Sequence, residues 1–262
     1  MIQYELIDRV RALCRADETI RAALMYGSFA AGEGDPHSDV EFWLFLDPKA
    51  RAALDPAAWC AEVAPVHLVL RNEFGTHVAL FPGPVRGEFH FATTEDIASV
   101  GEWPARGAAV DAMVVVDRDG ALTPVLAGLP EQAVLPAGAD EIADLCGRFA
   151  NWMVLAAHVT ARGERLRAQD ALAHAARHLL WMARLAEHST AHWLTPSRAA
   201  EAELPRRTVD AVAAGTLADL WREGRERWLT LLERIGHPRP AALLAELDAL
   251  LTPGPALPPA NG

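Results

Sequence analysis

Gly27-Ser28-Phe29-Ala30-Ala31-Gly32-Glu33-Gly34-Asp35-Pro36-His37-Ser38-Asp39-Val40-Glu41-Phe42 is the stretch from which the rest of the chain can be read. An apolar run, Ala22-Ala23-Leu24-Met25-Tyr26, leads into it, and a second, Phe42-Trp43-Leu44-Phe45-Leu46, leaves it. This predicts strand, glycine-rich turn, strand. Alternate side chains of a strand share a face, so Asp39 and Glu41 project together while Val40 and Phe42 enter a core. Two carboxylates on one face repel unless a cation lies between them, and hard divalent ions such as Mg2+ take carboxylate oxygens together with substrate phosphates. The glycines allow backbone N–H groups to approach phosphate oxygens, and Ser28 and Ser38 add hydroxyl donors. Asp-x-Glu alone also fits a hairpin with an acidic outer face. Gly-Ser upstream and an apolar strand on each side favour a metal–nucleotide site.

Composition narrows the function classes. The chain has 262 residues, 51% of them hydrophobic and 23% charged, enough for a real core in one large or two small domains, of which two are favoured. A formal net charge of -11 argues against a nucleic-acid partner, which needs a basic stripe. Lys49 is the only lysine, so no Walker-type lysine follows the glycines. Cys14, Cys60 and Cys146 are too far apart for a metal-ligand spacing and odd in number, as expected of reduced, buried thiols. Met1–Val10 is charged and amphipathic with no apolar leader, and no apolar run reaches membrane-spanning length, so a cytoplasmic location and no membrane partner are expected.

Taken in order, an amphipathic helix is expected over Tyr4–Arg15, followed by the signature hairpin. Asp55-Pro56 caps a helix over Ala57–Ala64. Val66–Leu70 and Thr76–Phe81 read as a strand pair. Val85-Arg86-Gly87-Glu88-Phe89-His90-Phe91 alternates cleanly, with Arg86, Glu88 and His90 on one face. If this strand lies beside the one bearing Asp39 and Glu41, Glu88 completes a carboxylate triad and can share the ion or take a proton from an attacking hydroxyl. A surface Glu88 paired with Arg86 fits the residues equally well, and His90 alone reads as a hydrogen-bonded structural residue. A short helical segment over Ile97–Val100 precedes a last strand over Ala112–Asp117.

Composition shifts between Leu129-Pro130 and Gly138, giving a first domain over 1–130 and a helical one over 139–251. Helices are expected over Ala139–Arg162, Glu164–Trp193, Thr216–Ile235 and Ala241–Leu251, with Gly163 as a stop and 252–262 as a disordered tail. Five of the eight tryptophans, Trp152, Trp181, Trp193, Trp221 and Trp228, fall in the helical part and read as bundle core, with room for one or two to line a pocket. Arg162, Arg177 and Arg184 are within reach of a triphosphate on this reading, although helix charges paired with Glu164 or Glu187 explain them as well.

Gly-Ser, spacer, Ser-Asp-x-Glu-apolar resembles the signature of the nucleotidyltransferase superfamily, whose fold is shared by DNA polymerase beta and antibiotic-adenylating enzymes. Met25–Phe29, Gly32–Asp35, Ser38–Phe42, Val63–Pro65, Arg86–Phe91 and Arg162–Glu164 are similar in order and spacing to the two-domain lincosamide nucleotidyltransferases. The resemblance implies an α+β fold, with an N-terminal nucleotidyltransferase domain built on a mixed, helix-flanked sheet and a C-terminal helical bundle. It also implies transfer of AMP from ATP to a hydroxyl of lincomycin or clindamycin, pyrophosphate release and antibiotic resistance. Asp39 and Glu41 would be ligands of Mg2+, two ions in all, with Glu88 as third ligand and catalytic base. Gly27, Ser28 and Ser38, with Arg162 and Arg184, would bind the nucleotide, and His90 the acceptor. A homodimer is implied. An aminoglycoside adenylyltransferase is the runner-up, and a non-catalytic nucleotide-binding or toxin–antitoxin protein a further alternative.

Overall fold

A computed structural model describes residues 1–252, and the expected disordered tail beyond Thr252 lies outside the described residues. The chain divides into two compact units, Met1–Val134 and Leu135–Gly262. Each has its own apolar core.

The first unit opens with α1 (Ile2–Ala16), which turns Leu6, Ile7, Val10 and Cys14 into the core. β1 (Ile20–Met25) and β2 (Val40–Leu46) form the expected antiparallel pair, Met25 opposite Phe42. Between them Gly27–Ala30 closes one helical turn, α2, where a plain turn is expected. α3 (Pro48–Ala53) and α4 (Pro56–Val63) both start at an Asp-Pro pair, with Asp47 and Asp55 accepting from the backbone N–H groups of Lys49 and Ala57. β3 (Leu68–Arg71), β4 (His77–Phe81) and β5 (Val85–Thr93) follow. A 3-10 segment (Thr94–Glu102), α5 (Val110–Met113), β6 (Val114–Asp117) and α6 (Leu122–Gly128) complete the unit.

The sheet order is β3-β4-β5-β2-β1-β6. All its neighbours are antiparallel except β2 and β5, which run parallel. A parallel neighbour needs a crossover, and α3, α4, β3 and β4 supply it. Along β5 burial alternates: Val85, Gly87, Phe89 and Phe91 are buried, while Arg86, Glu88 and His90 are half-buried on the other face. β2 carries the same alternation from Val40 to Leu44.

The second unit is helical throughout its regular elements. α7 (Ala139–Ala161) and α8 (Arg165–Glu187) form a helix hairpin. Gly163 takes φ +78° at the joint, and the N–H groups of Gly163 and Glu164 return to the carbonyls of Thr160 and Val159. α9 (Ala200–Glu203), α10 (Arg206–Ala214), α11 (Leu217–Arg234) and α12 (Ala241–Leu251) follow. α11 packs on both long helices. A Cβ on its Gly224 would lie 2.1 Å from the Phe149 ring of α7, so that approach admits only glycine. Trp221 stacks on Phe149 with ring centroids 6.3 Å apart and donates its indole N–H to Asp248 at 2.9 Å, as a core indole should.

α8 ends six residues before the expected Trp193. His188 adopts the left-handed conformation, φ 57°, and the chain that follows wraps around the Arg184 side chain.

Candidate active site

The parallel pairing of β2 with β5 decides which side chains meet. Its register sets Glu41 beside Glu88 and Trp43 beside His90, with Val40 beside Gly87 just before them. Arg86 therefore stands next to Asp39, and its guanidinium bridges two acids, Nη1 donating to Asp39 Oδ2 and Nη2 to Glu88 Oε1. Side-chain exposure is 34% for Asp39, 38% for Arg86 and 19% for Glu88, so a ligand can reach all three. The Arg86–Glu88 pairing is present, and β5 lies beside β2 with Glu41 opposite Glu88, which is the condition on which a shared site is expected.

Gly27 lies against Glu41. At φ +72° it sits where an L side chain is strained, and a Cβ built on it would fall 1.7 Å from Glu41 Oε2. The Tyr26 N–H donates to the Glu41 carbonyl at 3.1 Å, which holds the end of β1 against the start of β2. Burial raises the pKa of the Tyr26 phenol, and the charges of Glu41 and Glu88 raise it further.

An aromatic wall adjoins the acids. His90 lies 4.9 Å from Trp43 and 6.0 Å from Tyr26, centroid to centroid, and Trp103 lies 5.5 Å from Trp43 and 5.9 Å from Tyr26. His90 Nε2 and Thr76 Oγ1 share a 3.0 Å hydrogen bond. Burial lowers the His90 pKa, partly opposed by the charge of Glu88, which favours the neutral ring. The Trp43 indole N–H is buried and makes no hydrogen bond within the described residues.

The other candidate residues fall outside this cluster of contacts. Ser28 is buried. Ser38 Oγ donates to Asp35 at 2.9 Å and accepts the Asp35 N–H at 3.0 Å, and hydrogen bonds from the His37 N–H and Ser38 hydroxyl hold the Asp35 carboxyl below its usual range. Arg162 is exposed at the end of α7, 3.8 Å from Glu164.

Arg184 requires a correction: it is not a phosphate ligand. It is completely buried within the helical unit and donates to the carbonyls of Pro196 at 2.8 Å, Ser189 at 2.9 Å and Arg198, and to Glu203 at 2.8 Å. An isolated arginine on a helix face gives no sequence sign of such burial, because the carbonyls it gathers lie in a loop.

Whether the acids suit a divalent cation is a question of donor chemistry. Three hard carboxylates on one face supply the right atoms, and a cation, Arg86, already bridges two of them. Among the described residues no three His, Cys, Asp or Glu side chains converge as ligands of one ion. With Arg86 between Asp39 and Glu88, the carboxylates offer the donor atoms of a hard-cation site without being gathered around one position.

Sequence reasoning missed Tyr26, Trp43 and Trp103. Tyr26 is marked by its place directly before Gly27-Ser28, and Trp43 by sharing the face of Asp39 and Glu41 two residues further on.

Residues 138–217 match a family model described as the lincosamide nucleotidyltransferase-like, C-terminal domain. None of the curated proteins compared with the chain matches it. One solved structure similar to this chain is the crystal structure of an aminoglycoside 6-adenyltransferase from Bacillus subtilis, 13% identical, with a TM-score of 0.41 over 96% of this chain and 99% of that one.

Proposed function

We propose that the protein is a nucleotidyltransferase that moves AMP from ATP to a hydroxyl group of a lincosamide antibiotic and releases pyrophosphate. The observation that carries this reading is the placement of Asp39, Glu41 and Glu88 on one face of two parallel strands, with Gly27 directly against Glu41. The lincosamide class is supported by the family model that matches residues 138–217.

On this reading Asp39 and Glu41 would hold a Mg2+ ion, whose charge would offset that of the phosphates. Glu88 accepts the proton of the acceptor hydroxyl as that oxygen attacks the α-phosphorus, and the bond to pyrophosphate breaks. Tyr26 keeps its proton, being both buried and beside carboxylates. Gly27 and Ser38 lie on the turn that would face the phosphates. The wall of Tyr26, Trp43, His90 and Trp103 offers an amphipathic acceptor an apolar seat next to the base. The chain's share of catalysis is alignment and charge placement rather than a covalent intermediate.

The test is to incubate the protein with Mg2+, each nucleoside triphosphate in turn, and a panel of lincosamides and aminoglycosides, and to weigh the products. Addition of one adenylyl group to lincomycin or clindamycin supports the reading. Addition to an aminoglycoside alone replaces the acceptor class, and no adduct on any drug removes antibiotic modification. We also propose that it acts in the cytoplasm as a homodimer; light scattering on the purified chain measures the second point. No helix among the described residues is long and apolar enough to cross a membrane.

A further inference from the structure

We propose that Gln3, in the first turn of α1, is a positioning residue for Asp39: it braces from outside the turn that delivers this acid to the β2–β5 face. The proposal deepens the nucleotidyl-transfer reading above and rests on it for the role of Asp39.

Two of the three acids are set by the sheet. Glu41 and Glu88 are register partners between β2 and β5, whereas the pairing begins at Val40 and leaves Asp39 one residue outside it. The place of Asp39 therefore depends on the turn Asp35–Ser38. That turn is closed by the Ser38 N–H on the Asp35 carbonyl at 3.1 Å, and by the His37 N–H and the Ser38 hydroxyl on the Asp35 carboxylate at 2.8 and 2.9 Å. These bonds give the turn its shape but are internal to it, and Asp35, Pro36 and His37 are exposed. A turn tied only to itself can swing as a body about its ends.

Gln3 supplies the outward tie. Its Nε2 donates to the Pro36 carbonyl at 2.7 Å. A carbonyl only accepts, so the amide nitrogen is the atom that faces it. Gln3 is 2% exposed although its neighbours Ile2 and Tyr4 are exposed, and a buried amide is kept where a bond offsets its desolvation. Beside it Tyr4 meets Phe29 of α2 edge to face, ring centroids 5.3 Å apart, and a Cβ built on Gly34 would run into the same Phe29 ring. The start of α1, α2 and the turn thus pack as one corner. Gln3 acts through that corner rather than on a reacting atom.

Gln3→Met keeps the length and bulk of the side chain and removes the donor. Solvent exchange of the His37 and Ser38 amides, read by NMR without substrate, should speed up about 10-fold, the scale of one net hydrogen bond, while the amides of α7 and α8 stay as in the wild type. The melting temperature should fall by no more than about 4 °C. Adenylyl transfer should slow about 10-fold, the loss falling on kcat more than on KM, because the acid is misaligned rather than missing. Tyr4→Ala, at an exposed position, should move exchange and rate the same way by less, and it carries the test if Gln3→Met does not fold. Exchange that is unchanged, or that rises across the whole sheet, makes Gln3 ordinary packing and overturns the proposal, as does faster exchange with kcat intact. Wild-type protein that transfers no nucleotide removes the nucleotidyl-transfer reading instead, and the exchange measurement, which needs no substrate, then still decides whether Gln3 holds the approach to Asp39.

Discussion

Arginine meets carboxylate in both units of this protein, with opposite outcomes. In the helical unit Arg227 donates to Glu223 at 2.7 Å and to Glu187, and Glu223 also accepts from Thr208 at 2.6 Å, with Arg227 and Glu223 buried. Arg184 and Glu203 make a second such cluster with Ser189 and the loop carbonyls. On the β2–β5 face one arginine serves Asp39 and Glu88 while Glu41 stands beside them, and the group stays open to solvent. A buried network whose donors and acceptors are matched fixes a fold. An open face with an arginine between two acids keeps its charged groups within reach of a ligand.

Substitution in each region sharpens this contrast. Asp39→Asn should lower the rate of nucleotidyl transfer by about 10^3-fold or more, the scale of losing an electrostatic contact made in the transition state, while leaving the melting temperature equal or higher. Steady-state kinetics with thermal denaturation on the same preparation decides it; a variant that melts early would mean the open face is structural after all. Arg184→Ala should do the reverse, costing about 3 kcal/mol of stability because a buried network loses its centre. Urea titration measures that loss, and a fully stable variant would sink the structural assignment of Arg184.

Close packing offers a smaller version of the same comparison. Gly224→Ala places a methyl against the Phe149 ring and should cost about 1–3 kcal/mol. Gly27→Ala meets the Glu41 carboxylate instead, so its main effect should be on catalysis, with a drop of about 10-fold or more in kcat/KM. Equal stability losses in the two variants, with activity per folded molecule intact in both, would erase the distinction between the sites.

The smallest effect is that of pH. Burial lowers the pKa of His90, and of His77 and His178, beneath the ordinary 6.5. The unfolded chain therefore binds protons first as pH falls through 6.5, and stability declines from there down to each folded-state pKa. Melting temperatures between pH 7.5 and about 5 should fall, and His90→Gln should flatten part of the slope; an unchanged slope would show that the neutral His90 ring contributes nothing.

Much of the scaffold was legible because its signals are local. The alternation of Val85–Phe91 foretold which face Glu88 occupies, and Gly163 foretold the break between two long helices. Partnership across the sheet was less accessible: that β5 lies parallel beside β2 in the register Glu41–Glu88 depends on a crossover whose parts carry no pairing code. α3 was missed although Asp47-Pro48 repeats the Asp55-Pro56 signal that marked α4. The α8 end was overrun because its stop is a left-handed His188 rather than glycine, and because Arg184 collects carbonyls from a loop with no apolar period of its own. At the candidate site the spacing marks which faces Asp39, Glu41 and Glu88 take, while the aromatic wall requires the fold: Trp103 follows the 3-10 segment, far along the chain from Tyr26 and Trp43.

Arg86 and Asp39 stand 47 positions apart in the sequence, and most of that separation is the excursion between two neighbouring strands. A nascent chain that has emerged only as far as β4 thus displays Asp39 and Glu41 with neither their third acid nor their arginine. The face closes only when β5 slots in between β4 and β2, so it requires a chain that extends through β5. The excursion can meanwhile lengthen or shorten at its outer turns without disturbing a single charge on the face it brings together.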